Sequence, residues 1–174
     1  MSNSSIDVSV VIPIGRRVDD FPTLLGEYDE ALRASGRAYE ILLVCNGPKD
    51  SLLAELDAVR SRNEHIRVIQ LAREFGESAA LASGLDAARG DVLLTLPAYY
   101  QVEPNEITRL LAVETDDVEM LIAVRPRPGM SFENMRRKAF HALFRLTSGM
   151  RFSDLGCGVR LFDRVVADEI SLYG

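Results

Sequence analysis

The sequence predicts an α/β domain in which a mostly parallel β-sheet is sandwiched by helices, with a basic amphipathic helix appended. Three observations predict it. Short apolar, β-branched runs recur without polar alternation, the pattern of strands covered on both faces. Stretches with apolar residues at helical spacing separate them, and a β-α-β-α order favours parallel pairing through crossovers. The chain also changes sign: residues 1–124 hold 11 basic and 21 acidic residues, net −10, whereas 125–164 hold 9 basic and 3 acidic, net +6.

Each element has its own signal. VSVVIPI at Val8–Ile14 reads as the first strand. The helix after it places Phe21, Leu24, Leu25, Tyr28 and Leu32 on one face, with Pro22 near its start and Gly36 past its end. ILLV at 41–44 is the second strand, and Asp50 is placed to cap a helix whose stripe is Leu52, Leu53, Leu56 and Val59. Residues 67–71 form a third strand. The helix over 78–88 carries Ala79, Ala80, Ser83, Gly84 and Ala87, small enough for close approach to a sheet. Residues 92–96 and 120–124 supply the fourth and fifth strands, with a helix over 106–113 between them. Beyond RPRPG at 125–129, residues 132–148 read as an amphipathic helix with Met135, Phe140, Leu143 and Phe144 on its apolar side. A short helix containing Val165, Val166 and Ile170 closes the chain. We expect one domain over 1–174, its two halves meeting near residue 124.

Composition narrows the class. The 174 residues are 47% hydrophobic and 26% charged, with a net charge of −6, which excludes disorder and argues against a general nucleic-acid binder. No apolar run approaches the roughly 20 residues that cross a bilayer, and the first residues lack a signal sequence, so a cytoplasmic protein is expected. Cys45 and Cys157 form no metal-ligand spacing and suggest no disulfide framework. A dinucleotide-binding dehydrogenase or a nucleotidyltransferase would want a glycine-rich loop after the first strand, and Gly15-Arg16-Arg17 offers one glycine.

In open parallel sheets ligands sit beyond the carboxyl ends of the strands, so the loops at 15–20, 45–50, 72–77 and 97–104 hold the candidate site. With VSVVIP at 8–13, YEILLV at 39–44, AREFGESAALASGLDAARGD at 72–91 and DLGCGVRLFDR at 154–164, the chain resembles family-2 glycosyltransferases of the GT-A nucleotide-sugar fold. It is most similar to the branch that includes dolichyl-phosphate mannosyltransferase and transfers sugars to polyprenyl phosphates. The resemblance implies a nucleotide-sugar donor, of UDP or GDP type, and a lipid-phosphate or glycan acceptor. Donor contacts then fall on Pro13, Arg16, Arg17, Asn46, Lys49, Arg73, Tyr99 and Gln101. Arg136, Arg137, Lys138 and Arg160 would hold the acceptor phosphate, with Asp154 orienting them or the sugar as the catalytic candidate.

The chain departs from that family on the donor side. Pro97-Ala98-Tyr99 stands where the family has Asp-Ala-Asp, Cys45-Asn46-Gly47 replaces Asp-Asp-Gly, and Gly15-Arg16-Arg17 replaces Tyr-Asn-Glu. A hard divalent cation needs oxygen ligands, so no metal or other cofactor is expected. Two readings stand. Arg16, Arg17 and Lys49 take the metal's place at the diphosphate, or the fold persists as a catalytically inactive binding or regulatory partner. Plainer roles stay open for single residues. Asp154 and Arg160 would pin a turn, and Cys45 would be a buried inert thiol. Glu103 and Glu106 would suit a helix amino-terminus, and Tyr99 and Tyr100 would stack on a ligand or plug the site. His65 and His141 are given no role. The basic segment leaves room for an anionic membrane surface or a homo-oligomer as partner.

Overall fold

The computed structural model describes residues 6–61, 63–113, 120–124 and 157–169. A six-stranded sheet runs in the order β3-β2-β1-β4-β6-β5. Its strands are β1 (Val8–Ile14), β2 (Tyr39–Cys45), β3 (Ile66–Gln70), β4 (Val92–Thr95), β5 (Met120–Ile122) and β6 (Arg160–Asp163). The first four pair in parallel, and β6 lies antiparallel between β4 and β5. Five helices complete the described fold: α1 (Phe21–Ala34), α2 (Asp50–Arg60), α3 (Glu77–Ala87), α4 (Pro104–Leu111) and α5 (Arg164–Glu169).

Both faces of the sheet are covered, which is why its central strands carry no alternation. Val8, Val10, Ile12 and Ile14 of β1 pack with Phe21, Leu24, Tyr28 and Leu32 of α1, Leu56 of α2 and Ile107 of α4. Val11, Leu42, Val44 and Leu93 face the other way, against Ala80 and Leu85 of α3 and Val166 of α5. The small-residue helix approaches as closely as its composition suggested. A Cβ on Gly84 would run into the Val11 side chain and come within 2.9 Å of the Val44 Cγ2.

The amino-terminal end of the sheet holds a buried polar cluster. Ser9 and Glu40 are register partners on β1 and β2, and the Ser9 hydroxyl donates to Glu40 Oε1 at 2.8 Å. Arg67 Nη1 donates to Glu40 Oε2 at 2.6 Å. The amides of Arg89 and Gly90 donate to Ser9 Oγ, and Arg89 N also reaches Glu40 Oε1. Gly90 passes so close to β1 that a Cβ there would lie 2.7 Å from Ser9 N, and its carbonyl accepts two bonds from Arg164 of α5. The Ala-Arg-Gly-Asp lead into β4 is therefore a structural latch, at the end of the sheet away from the loops that follow β1, β2 and β4.

Several boundaries differ from expectation. β2 extends to Tyr39 and Cys45 because Tyr39 continues the pairing with Val8 and donates its hydroxyl to Asp29. β3 begins one residue earlier, where Ile66 pairs with Ile41. Asp50 is the first helical residue of α2 rather than its cap. α3 also starts one residue early, and α4 starts at Pro104, a residue whose missing N–H costs nothing in a first turn. β6 was not foreseen as a strand. Its pairing with β4 and β5 comes from the sheet edge rather than from any local pattern in Arg-Leu-Phe-Asp. The helix expected over 132–148 lies outside the described residues.

Candidate functional site

The loops after β1, β2, β3 and β4 meet at the carboxyl end of the sheet, joined by the chain entering β6. Two side-chain groups form there. In the first, the β2 and β3 loops are locked together. Asn46 Oδ1 accepts from Phe75 N at 2.8 Å and Gly76 N at 3.2 Å. Gly47 holds a φ of +91°, which favours glycine, and a Cβ there would press on Glu74 N at 3.1 Å. Glu74 receives Arg16 from the β1 loop at 3.6 Å and Lys49 from the β2 loop at 3.8 Å. One carboxylate thus gathers cations from two other loops. Both are long, solvent-screened pairs of the kind that contribute little to stability, so they leave the cations available to a stronger anion.

The second group surrounds the end of β4. Arg17 lies over the Tyr99 ring, 4.1 Å from its centroid, an attraction between a cation and the ring's negative face. Arg17 also approaches Asp19 at 3.9 Å. Asp19 ties the β1 loop to the β4 loop, accepting from Tyr100 N at 3.0 Å and donating its own amide to the Ala98 carbonyl. Gln101 brackets the entry to β6: its Oε1 accepts from Gly158 N at 2.8 Å, and its Nε2 donates to the Tyr99 hydroxyl. Beneath them, the Tyr28 hydroxyl donates to the Pro97 carbonyl at 3.2 Å. Burial, aided by nearby Tyr100, Glu27 and Tyr99, pushes that hydroxyl above the usual phenol range, so it stays a donor. A cleft of about 1030 Å³ opens beside this group, lined by Arg17, Tyr99 and Gln101 and by apolar Ile107, Leu110 and Val124.

The expected donor residues therefore divide. Arg16, Lys49 and Asn46 share the first group; Arg17, Tyr99 and Gln101 share the second. Arg73 joins neither ion pair, and its guanidinium covers the Phe75 ring at 4.8 Å. Pro13 lies inside β1, in register with Val44. Arg160 opens β6 opposite Thr95 and Ile122. Asp154, Arg136, Arg137 and Lys138 lie outside the described residues. Sequence reasoning missed Asp19, Glu74 and Tyr28. The available signal was a carboxylate one or two residues from each loop arginine, at Arg17-x-Asp19 and Arg73-Glu74. Cys45 is buried, and burial raises its thiol pKa against the pull of Lys49 and Arg60, which suits an inert side chain. Glu106 pairs with Arg109 one turn along α4 at 2.8 Å.

A mostly parallel sheet covered on both faces by helices belongs to the α/β class in which ligands sit beyond the carboxyl ends of the strands. Comparison places the chain within that class. It belongs to glycosyl transferase family 2, whose sequence model matches residues 9–170. Among curated relatives it is 34% identical over 165 residues to an undecaprenyl-phosphate 4-deoxy-4-formamido-L-arabinose transferase of Klebsiella pneumoniae subsp. pneumoniae, covering 94% of this chain and 50% of the relative. The chain thus spans about half the length of the curated relatives it matches. Its fold matches mannosyl-3-phosphoglycerate synthase from Rubrobacter xylanophilus with a TM-score of 0.66, at 20% identity over 92% of this chain and 55% of that one. A mannosyltransferase from Pyrobaculum calidifontis in complex with GDP-Man and Mn2+ matches at 0.60, with 13% identity over 96% and 47%. These likenesses establish the GT-A, Rossmann-like fold.

Among the described residues, the turn directly after β4 offers no carboxylate to a divalent cation like that neighbour's. After β4 the chain offers Pro97, Ala98 and Tyr99; the Pro97 carbonyl already accepts from Tyr28, and a guanidinium covers Tyr99. Asp19 and Glu74 are engaged as described. Among the described residues no group of three His, Cys, Asp or Glu could hold a metal ion. No described helix is long and apolar enough to cross a membrane.

Proposed function

We propose that the chain carries the donor-binding part of a glycosyltransferase that passes a sugar from a nucleoside diphosphate to a prenyl-phosphate acceptor, with side-chain cations in place of the metal. The observation that carries this reading is the gathering of Arg16, Arg17 and Lys49 on loops at the carboxyl end of the sheet. Guanidinium groups bind diphosphate oxygens in forked pairs and stabilise charge on the departing nucleotide. The acceptor phosphate is already anionic, so the chemistry asks for neutralisation and in-line alignment more than for a strong base. Arg136, Arg137, Lys138 and Arg160 are assigned to that phosphate and Asp154 to orienting it. Family membership and the printed activity of the Klebsiella relative support the acceptor class. The basic segment suits contact with an anionic bilayer, which flotation with anionic liposomes at low salt tests.

Nucleotide titration decides the donor reading. UDP or GDP should bind in EDTA, and Arg16→Ala or Arg17→Ala should weaken binding about tenfold, the scale of one charge-assisted hydrogen bond. Absence of binding both with Mn2+ and with EDTA overturns it. The loss of both carboxylates at Pro97 and Tyr99 favours a second reading, a non-catalytic binding partner, for which no nucleotide sugar would raise the melting temperature.

A further inference from the structure

Arg17 stands on the loop after β1 with 67% of its side chain exposed, yet it does not hang free in solvent. Its guanidinium carbon lies 4.1 Å from the centroid of the Tyr99 ring. Among the described residues its only carboxylate within 4 Å is Asp19, at the long distance of 3.9 Å, so its N–H groups keep room for a closer anion. A ring face draws a cation without cancelling its charge; Arg16 and Lys49, by contrast, share the Glu74 carboxylate. Tyr99 is the firmer member of the pair. Ala98 before it is buried, and the Pro97 carbonyl takes the Tyr28 hydroxyl at 3.2 Å. Gln101 Nε2 donates to the Tyr99 hydroxyl at 3.4 Å, while its Oε1 accepts from Gly158 N at 2.8 Å. The ring is thus braced by β4 and by the chain entering β6. Arg17 and Tyr99 line the same cleft. Of its carboxylates, Glu106 is answered by Arg109 and Glu103 stands at the start of α4.

We propose that Tyr99 is a positioning residue, whose ring holds the Arg17 guanidinium at the cleft for the diphosphate of the donor. This rests on the donor reading above and goes further, to what keeps its cation in place. A ligand that must itself immobilise a long side chain loses affinity, and a ring that orders Arg17 beforehand removes that cost. An aspartate at position 99 would also hold Arg17, but as an ion pair that offsets the charge a diphosphate needs. The hydroxyl is secondary, because its bond from Gln101 is long at 3.4 Å.

The test is calorimetric titration of inorganic pyrophosphate, UDP and GDP in EDTA, on the wild type, Arg17→Ala, Tyr99→Leu, Tyr99→Phe and the double variant Arg17→Ala with Tyr99→Leu. Leucine keeps an apolar side chain at this half-buried position and removes the ring face. Tyr99→Leu should weaken pyrophosphate and nucleotide alike by about fivefold, the scale of ordering one long side chain. Tyr99→Phe, which keeps the ring, should stay within about twofold of the wild type. On the Arg17→Ala background, Tyr99→Leu should cost nothing more, since the cation it positions is gone. A loss confined to the nucleotides overturns the inference, because the ring then stacks on the base. Equal losses with and without Arg17 also overturn it, as does a Phe variant as weak as the Leu one. If neither pyrophosphate nor nucleotide binds the wild type, the donor reading falls and this inference with it; if they bind and Tyr99→Leu changes nothing, this inference alone falls.

Discussion

Removing the Glu40 carboxylate should destabilise the protein more than any other single polar change among the described residues. Its side chain is only 3% exposed, and its two oxygens accept from Ser9 Oγ, Arg89 N and Arg67 Nη1 at 2.6–2.8 Å. Glu40→Ala strips all three at once. It leaves the Ser9 hydroxyl without its acceptor and the Arg67 guanidinium with only the Ala87 carbonyl at 3.1 Å. Breaking a buried pair from one side costs about 3–5 kcal/mol. The lower end applies here because Arg67 is a third exposed and water recovers part of its loss. Glu40→Gln keeps an oxygen for Ser9 and Arg89 but turns an NH2 toward Arg67, so about 1.5–3 kcal/mol should go, the scale of a hydrogen bond to a charged group. In urea, with a slope of about 2 kcal/mol/M, the midpoint should fall by roughly 1.5 M for Ala and 1 M for Gln. Glu40→Met with Arg67→Met should recover part of that loss, because no charge is then buried alone. Nucleotide affinity of the folded variants should not change, since the cluster lies at the opposite end of the sheet. A Glu40→Gln midpoint within 0.3 M of wild type would refute the reasoning, as it would mean that the latch around Gly90 carries no charge-dependent stability.

Two further outcomes follow from the packing. Gly84→Ala pushes a methyl into Val11 and Val44; overpacking of about 1–3 kcal/mol should exceed the propensity gain of about 1 kcal/mol, so the thermal midpoint should drop. At Asp29, desolvation pushes the carboxyl up, but hydrogen bonds from Tyr39, Arg33 and Asn63 outweigh it, so its pKa lies below the ordinary value. Its contribution is therefore complete above the unfolded pKa of about 3.9 and is lost as pH falls through the folded value. The stability gap between wild type and Asp29→Asn should be constant from pH 5 to 8 and shrink in acid denaturation below about pH 4.

Much of this molecule is legible in short stretches of chain. Apolar runs such as VSVVIPI report a strand buried on both faces, because that burial is written in consecutive residues. The spacing of Phe21, Leu24, Leu25, Tyr28 and Leu32 reports the buried face of α1 for the same reason. That Pro97 and Tyr99 carry no carboxylate is equally plain, since it is written in the residues themselves.

Only the tertiary structure placed β6 between β4 and β5, because four residues of mixed character declare no partner until an open sheet edge is there to receive them. It alone paired Ser9 with Glu40 across 31 positions and Gly90 with Ser9 across 81, giving the Ala-Arg-Gly-Asp lead into β4 its role as a latch. It alone brought Arg16 and Lys49 onto Glu74 and spent the Asn46 oxygen on the Phe75–Gly76 turn. Sequence periodicity records which face of an element is buried. Which polar atoms meet, and which are left over for a ligand, depends on strand order and loop approach, and these are properties of the folded chain.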